Sequence, residues 1–170
     1  EVNFDDAMNA MRELAKDDWI YLVNSSNPFR IEGQKTVAVE LLEQLDWQVP
    51  DHLVVPGGNL GNSSAFGKGF RELVEMGFID RSPQISVVQA VGAAPFARLH
   101  AGHGSSGGEL QFVNEEQPHT LASAIKIGAP VSWKKAWRAV ADSNGTVLTV
   151  SEQEIADAKV GYRLKDDDTP

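Results

Sequence analysis

Apolar residues along this chain recur alternately at helical and at strand spacing. Phe4, Met8, Met11 and Leu14 fall on one helix face, and Asn3 stands where an N-cap belongs. Trp19 to Val23 is a short apolar run suited to a strand. Val37, Leu41, Leu42 and Leu45 form a second helical stripe. His52 to Val55, preceded by Pro50, reads as a strand. Phe66, Phe70, Leu73 and Val74 predict the helix after it, with Gly77 near its C-terminus. Ile85-Ser86-Val87-Val88 is rich in β-branched residues and predicts a strand, followed by a short helix from Ala94 to Ala101. Trp133, Ala136, Trp137 and Val140 mark another helix, and Thr146 to Val150 another strand. Ser151-Glu152-Gln153-Glu154 has the form of a capping box opening a last helix. The alternation predicts an α/β fold with a mostly parallel sheet flanked by helices. From Gly102 to His119 no period is visible, and that glycine- and serine-bearing stretch reads as a mobile surface loop.

The strand–turn–helix unit around position 58 carries the strongest chemical signal. Val54-Val55-Pro56-Gly57-Gly58-Asn59-Leu60-Gly61-Asn62 joins the His52 strand to the Ser64 helix. A glycine-rich turn there brings backbone close to a ligand, and the N–H groups and dipole at the helix start favour an anion, most often phosphate. An ordinary β–α bend is the bland alternative. The turn is neither a Walker loop nor a dinucleotide fingerprint, whose glycine spacings differ. Asn59 and Asn62 add side-chain donors, so the pattern suits a phosphorylated cofactor other than a dinucleotide.

A second polar run, Asn24-Ser25-Ser26-Asn27-Pro28-Phe29-Arg30-Ile31-Glu32-Gly33-Gln34-Lys35-Thr36, also follows a strand-like segment and precedes a helix. Arg30 offers a planar fork for phosphate or carboxylate, and Asn24 and Ser25 are short donors. Capping, or pairing of Arg30 with Glu32, would use the same residues structurally.

Composition narrows the partners. The 170 residues suffice for one domain with a sizeable core. The net charge of −9 argues against a nucleic-acid surface, which needs clustered Lys and Arg. The absence of cysteine excludes disulfides, thiolate nucleophiles and thiolate metal sites. No apolar run is long enough for a membrane span. His100, His103 and His119 have no carboxylate at a recognisable metal-ligand spacing, so no metal is expected. The start at Glu1 without methionine reads as the interior of a longer protein, and the polar run from Val160 to Pro170 as a frayed or unrelated tail.

The Asn24–Thr36 run, followed in order by Val55–Asn62, closely resembles the threonine synthase family. Val88-Gln89-Ala90, Ala94-Pro95 and the run from Thr120 to Ser132 carry further resemblance, which extends from about Asn3 to Lys159. It implies a pyridoxal-phosphate-dependent enzyme with part of the fold of the tryptophan synthase β-subunit. That family converts O-phospho-L-homoserine and water to L-threonine and phosphate. By resemblance, Gly58, Asn59, Leu60, Gly61 and Asn62 cradle the cofactor phosphate, while Asn24, Ser25 and Arg30 hold the substrate phosphate. The family's Schiff-base lysine belongs to a segment upstream of Glu1, which implies that this chain alone is inactive. Lys35 occupies a different motif and reads as structural or solvated. The resemblance divides the chain into the end of a small domain at 1–26, part of the large cofactor-binding domain at 27–159, and a divergent tail at 160–170. It also implies a cytoplasmic homodimer acting on a small molecule, without nucleic acid or membrane. A dehydratase or other β-replacement enzyme of the same superfamily, and a non-catalytic phosphate-binding module, are the rivals. The second polar run separates them, because a substrate without a phosphate has no need of Arg30.

Overall fold

The computed structural model describes residues 4–17, 19–23, 27–106 and 110–166. The elements are α1 (Phe4–Leu14), α2 (Pro28–Gln34), α3 (Thr36–Gln44), β1 (His52–Pro56), α4 (Gly61–Glu75), β2 (Gln84–Ala90), α5 (Pro95–Ser106), α6 (Trp133–Asp142), β3 (Thr146–Val150) and α7 (Glu152–Asp166). The strands form one three-stranded parallel sheet in the order β1-β2-β3. The expected α/β architecture is therefore present.

The middle strand is the most apolar because it is covered on both faces, as parallel strands are. Ile85 and Val87 are fully buried, and with Val55, Phe70, Phe96, Ala136, Ala139 and Val140 they make the core. α4 is central to the helical layer, packing on both α3 and α6. Its glycines permit that approach. A Cβ on Gly67 would lie 2.2 Å from the Ala139 Cβ, and one on Gly69 would lie 2.6 Å from the Lys35 carbonyl oxygen. Gly77, with φ of 76°, ends the helix in the left-handed region that glycine tolerates. The capping box at the start of α7 is formed: the Ser151 N–H donates to Glu154 Oε2 at 2.7 Å, and the Glu154 N–H donates to Ser151 Oγ at 3.2 Å. Both the backbone N–H and the hydroxyl of Ser151 hold the Glu154 carboxyl below its ordinary range.

Several expectations are corrected. Trp19 to Val23 is not a strand; among the described residues it has no ladder partner. Its side chains still alternate, with Trp19, Tyr21 and Val23 exposed and Ile20 and Leu22 half-buried. The period-two pattern is real, but a strand also needs a hydrogen-bonded neighbour. The second helical stripe is α3, and a separate short helix, α2, precedes it across Lys35. The buried face of α3 is Ala38 and Leu42, while Val37 and Leu45 are exposed. α5 continues to Ser106, and the segment after residue 109 is pinned to the body of the protein. Phe112 stacks on Trp133 with centroids 4.7 Å apart, the Glu115 N–H donates to Gly128 O, and the His119 N–H donates to Gly92 O. The stretch from Val160 is helical through Asp166. Asn3 lies outside the described residues. No helix among the described residues is long and apolar enough to cross a membrane.

Candidate functional site

At the carboxyl end of β1 a cavity of about 360 Å³ is bounded by three segments: α2, the β1–α4 turn, and the chain from Ala124 to Ser132. Ligands of open α/β sheets bind at such strand ends. Arg30, Ile31 and Gln34 line it from α2. Gly58, Asn59, Leu60, Gly61 and Asn62 line it from the turn, and Ala124, Ile125 and Ile127 supply an apolar wall opposite. The two polar runs are thus brought together over one space, although residues 37–53 separate them in sequence.

The turn is held by backbone and side-chain bonds that the local sequence provides. The Gly57 N–H donates to Val88 O at 2.7 Å, extending the sheet by one residue past β1. Gln89, wholly buried at the tip of β2, donates from Nε2 to Gly57 O at 2.9 Å. Its Oε1 accepts the Phe96 and Ala97 N–H groups at 3.0 Å, which caps α5. A Cβ on Gly57 would meet Val87 Cγ1 at 2.7 Å, and one on Gly58 would meet the Ala124 carbonyl oxygen at 3.0 Å. Those two glycines are needed for close packing.

The left-handed residue of the turn is Leu60, not a glycine: its φ is 64° and ψ 15°, whereas Gly58 and Gly61 do not adopt positive φ. Left-handed backbone on a non-glycine residue costs roughly 1–2 kcal/mol. Burying a leucine side chain contributes roughly 1.5–3 kcal/mol, which offsets it, and Leu60 is 2% exposed. The Leu60 side chain therefore belongs to the core, leaving only its backbone to a ligand. Its carbonyl is the first acceptor of α4, taking the Ser64 N–H at 3.2 Å and the Ser64 hydroxyl at 2.7 Å. The helix start has no side-chain cap. Gly61 is open, with the nearest atom to a built Cβ being Gln34 Oε1 at 3.9 Å.

Asn59 has two tasks. Its Oδ1 accepts the Val131 N–H at 2.6 Å and its carbonyl accepts the Ser132 N–H at 3.3 Å, so it fastens the opposite wall. Its amide nitrogen remains as a donor for the cavity. Asn62 is exposed at the cavity rim.

α2 is positioned by Asn27, whose Oδ1 accepts the Phe29 N–H at 2.9 Å as N-cap. A four-membered charge array fixes it against α4. Lys35 Nζ lies 2.9 Å from Glu32 Oε2 and 2.6 Å from Glu72 Oε2; Lys68 pairs with Glu32 and lies 3.6 Å from Glu72. Hydrogen bonds from Lys68 and then Lys35 hold the Glu32 carboxyl at about 2, below its ordinary 4.5. Glu72 first, then Glu32, raises the Lys35 ammonium above its ordinary range. Lys35 thus has the structural role its motif suggested, and Glu32 is engaged by lysines. Asn24 and Ser25 lie outside the described residues. Sequence reasoning missed Gln34 and Gln89 as site-shaping residues. A glutamine inside an apolar strand was the available signal for Gln89, since buried polar groups need partners.

The residues present suit a phosphorylated cofactor: the start of α4 has no side-chain cap, Gly61 is open, and Asn59 and Asn62 line the same cavity. His100 and His103 lie elsewhere, against Trp137 with centroids 6.0 and 4.9 Å away.

A family model described as "Pyridoxal-phosphate dependent enzyme" matches residues 1–161. The chain is 45% identical over 157 residues to a threonine synthase of Methanocaldococcus jannaschii, covering 92% of this chain and 38% of that protein. It is 46% identical over 158 residues to threonine synthase 2, chloroplastic, of Arabidopsis thaliana, covering 93% of this chain and 30% of the relative. The chain therefore spans well under half the length of these relatives. Among solved structures, a fungal L-serine ammonia-lyase from Rhizomucor miehei superposes with a TM-score of 0.71 over 92% of this chain and 45% of its own, at 24% identity. That likeness bears on the fold alone.

Proposed function

The chain belongs to the pyridoxal-phosphate dependent enzyme family, and from that premise we propose that it serves the conversion of O-phospho-L-homoserine and water to L-threonine and phosphate. The observation that carries this reading is the pairing of two anion-suited clusters on one cavity, Arg30 on α2 and the Gly58–Asn62 turn. One phosphate would be the cofactor's and the other the substrate's. A dehydratase of this fold has a single phosphate to hold, and so does a simple phosphate-binding module. Neither calls for a second anion site at Arg30.

In this reading the backbone of Gly58 to Asn62, with the Asn59 and Asn62 amides, holds the phosphate of pyridoxal phosphate. When bound, that cofactor supplies an electron sink for carbanion chemistry. Arg30, with Asn24 and Ser25, binds the substrate phosphate. The guanidinium stabilises charge on that phosphate as it leaves, an interaction strongest in a water-poor site. Ala124, Ile125 and Ile127 exclude water from the opposite side. The same proposal has the enzyme working in the cytoplasm as a homodimer, with residues 1–26 closing a small domain and 27–159 within the large one.

The test is made in a full-length protein carrying this segment. Phosphate release and threonine formation from O-phosphohomoserine are expected, with cofactor absorbance in the near ultraviolet. Turnover of unphosphorylated serine or threonine with no use of O-phosphohomoserine would overturn the reading.

A further inference from the structure

Gln34 is a polar side chain of this cavity whose carboxamide oxygen no group of the fold engages. It follows Arg30 by four residues on α2, one helical turn, so both project toward the same side. Both line the cavity with Gly61 and Asn62. Gln34 Oε1 is buried and has no hydrogen-bond partner. Buried polar atoms are almost always paired, and an orphan on a side chain that lines a cavity points to a contact that the fold alone does not complete. The neighbouring polar groups of this helix are differently placed: Glu32 pairs with Lys35 and Lys68, and Lys35 with Glu72. That array holds α2 still while leaving the Gln34 carboxamide to the cavity. The missing side chain of Gly61 keeps the space beside Oε1 open, since even a built Cβ would stand 3.9 Å away.

A carboxamide is suited to such a place. Half a turn about its last bond exchanges acceptor for donor without changing shape. An anion in the cavity opposes the carbonyl oxygen and selects the amino end.

We infer that Gln34 contacts the substrate: its Nε2 donates to the phosphate of the O-phosphorylated amino acid beside Arg30 and so favours phosphorylated over unphosphorylated substrates. This rests on the proposed function. Gln34 shares α2 with Arg30 but its Oε1 also lies beside Gly61 of the turn, so unchanged cofactor affinity in the variants is the result that separates the substrate phosphate from the cofactor's.

The experiment uses a full-length, cofactor-loaded enzyme carrying this segment, with inorganic phosphate as the calorimetric probe and O-phosphohomoserine for kinetics. Gln34→Met is expected to raise KM and the phosphate Kd about tenfold, the loss of one hydrogen bond to a charged acceptor. Gln34→Glu is expected to raise both at least a hundredfold by placing like charge against the dianion. Cofactor absorbance should be unchanged in both. Wild-type nitrogen-15 spectra should show the Gln34 side-chain amide shifting on addition of phosphate, which decides the matter even where a variant fails to fold. An unmoved amide at saturating phosphate, or an unchanged KM and Kd in folded Gln34→Met, would overturn the inference while wild-type turnover left the proposed function standing. A wild-type enzyme that ignores O-phosphohomoserine would overturn both.

Discussion

Asn59 and Val131 are joined by a 2.6 Å hydrogen bond that closes the cavity, because the turn and the opposite wall meet there. The bond needs an acceptor at Oδ1, while a phosphate in the cavity needs a donor at the amide nitrogen. Aspartate keeps the first and destroys the second; alanine loses both. In a full-length enzyme, Asn59→Ala is expected to lower thermal stability, by about 0.5–1.5 kcal/mol for the lost bond, and to weaken cofactor binding. Asn59→Asp is expected to keep the melting temperature closer to wild type while weakening cofactor binding at least as much. Parallel melting and cofactor-titration curves check the split.

Arg30→Ala should damage use of O-phosphohomoserine far more than cofactor binding. A charge-assisted bidentate contact in a desolvated site is worth about 2–4 kcal/mol, so kcat/KM should fall by roughly thirtyfold to a thousandfold. Arg30→Lys should recover only part of it, since a point charge cannot reproduce the planar fork. Steady-state kinetics beside a cofactor titration are the check, and an unchanged kcat/KM in Arg30→Ala would remove Arg30 from the site.

The glycines of the turn should separate by role. A Cβ on Gly61 would approach only Gln34 Oε1, at 3.9 Å, so in Gly61→Val the fold should persist while the branched side chain crowds the phosphate position and lowers cofactor affinity. Gly57→Val should instead destabilise the protein itself, because its Cβ already lies 2.7 Å from Val87. Circular dichroism with cofactor absorbance separates the two, and normal affinity in a folded Gly61→Val protein would reduce the turn to a β–α bend.

Glu32 should respond to acid in a defined window. Its folded-state value is depressed from 4.5 to about 2 by Lys68 and Lys35. The array's contribution is therefore complete above about pH 4.5 and is lost as pH falls toward 2. The Glu32 carboxyl carbon should titrate near 2 in an NMR experiment, and Glu32→Gln should flatten that part of the stability profile. A Glu32 midpoint at its ordinary value would mean that the array does not persist in solution.

The sheet was readable because Ile85–Val88 and Thr146–Val150 carry β-branched runs bounded by turn residues, and α4 and α6 because their apolar residues keep a single face. Trp19 to Val23 misled because alternation reports two unlike faces and says nothing of a ladder partner. The segment after residue 109 misled for the opposite reason. Phe112 and Leu110 pack singly against the core, and isolated contacts leave no period. In the site, the glycine-asparagine turn was visible, but its left-handed residue was not: Leu60 takes that conformation because the core rewards its side chain, which is a tertiary effect. Gln34 was hidden within a motif whose prominent charges drew attention to Arg30 and Lys35.

Gln89 binds the Gly57 carbonyl with one end of its carboxamide and the first turn of α5 with the other. A ligand settling into the turn cannot shift Gly57 without loading that side chain and, through it, the Phe96 and Ala97 amides. Those two amides are native sensors at the far side of the strand tip. Their hydrogen-exchange rates would register occupancy of a cavity they do not line, with no dye or label placed in the site itself.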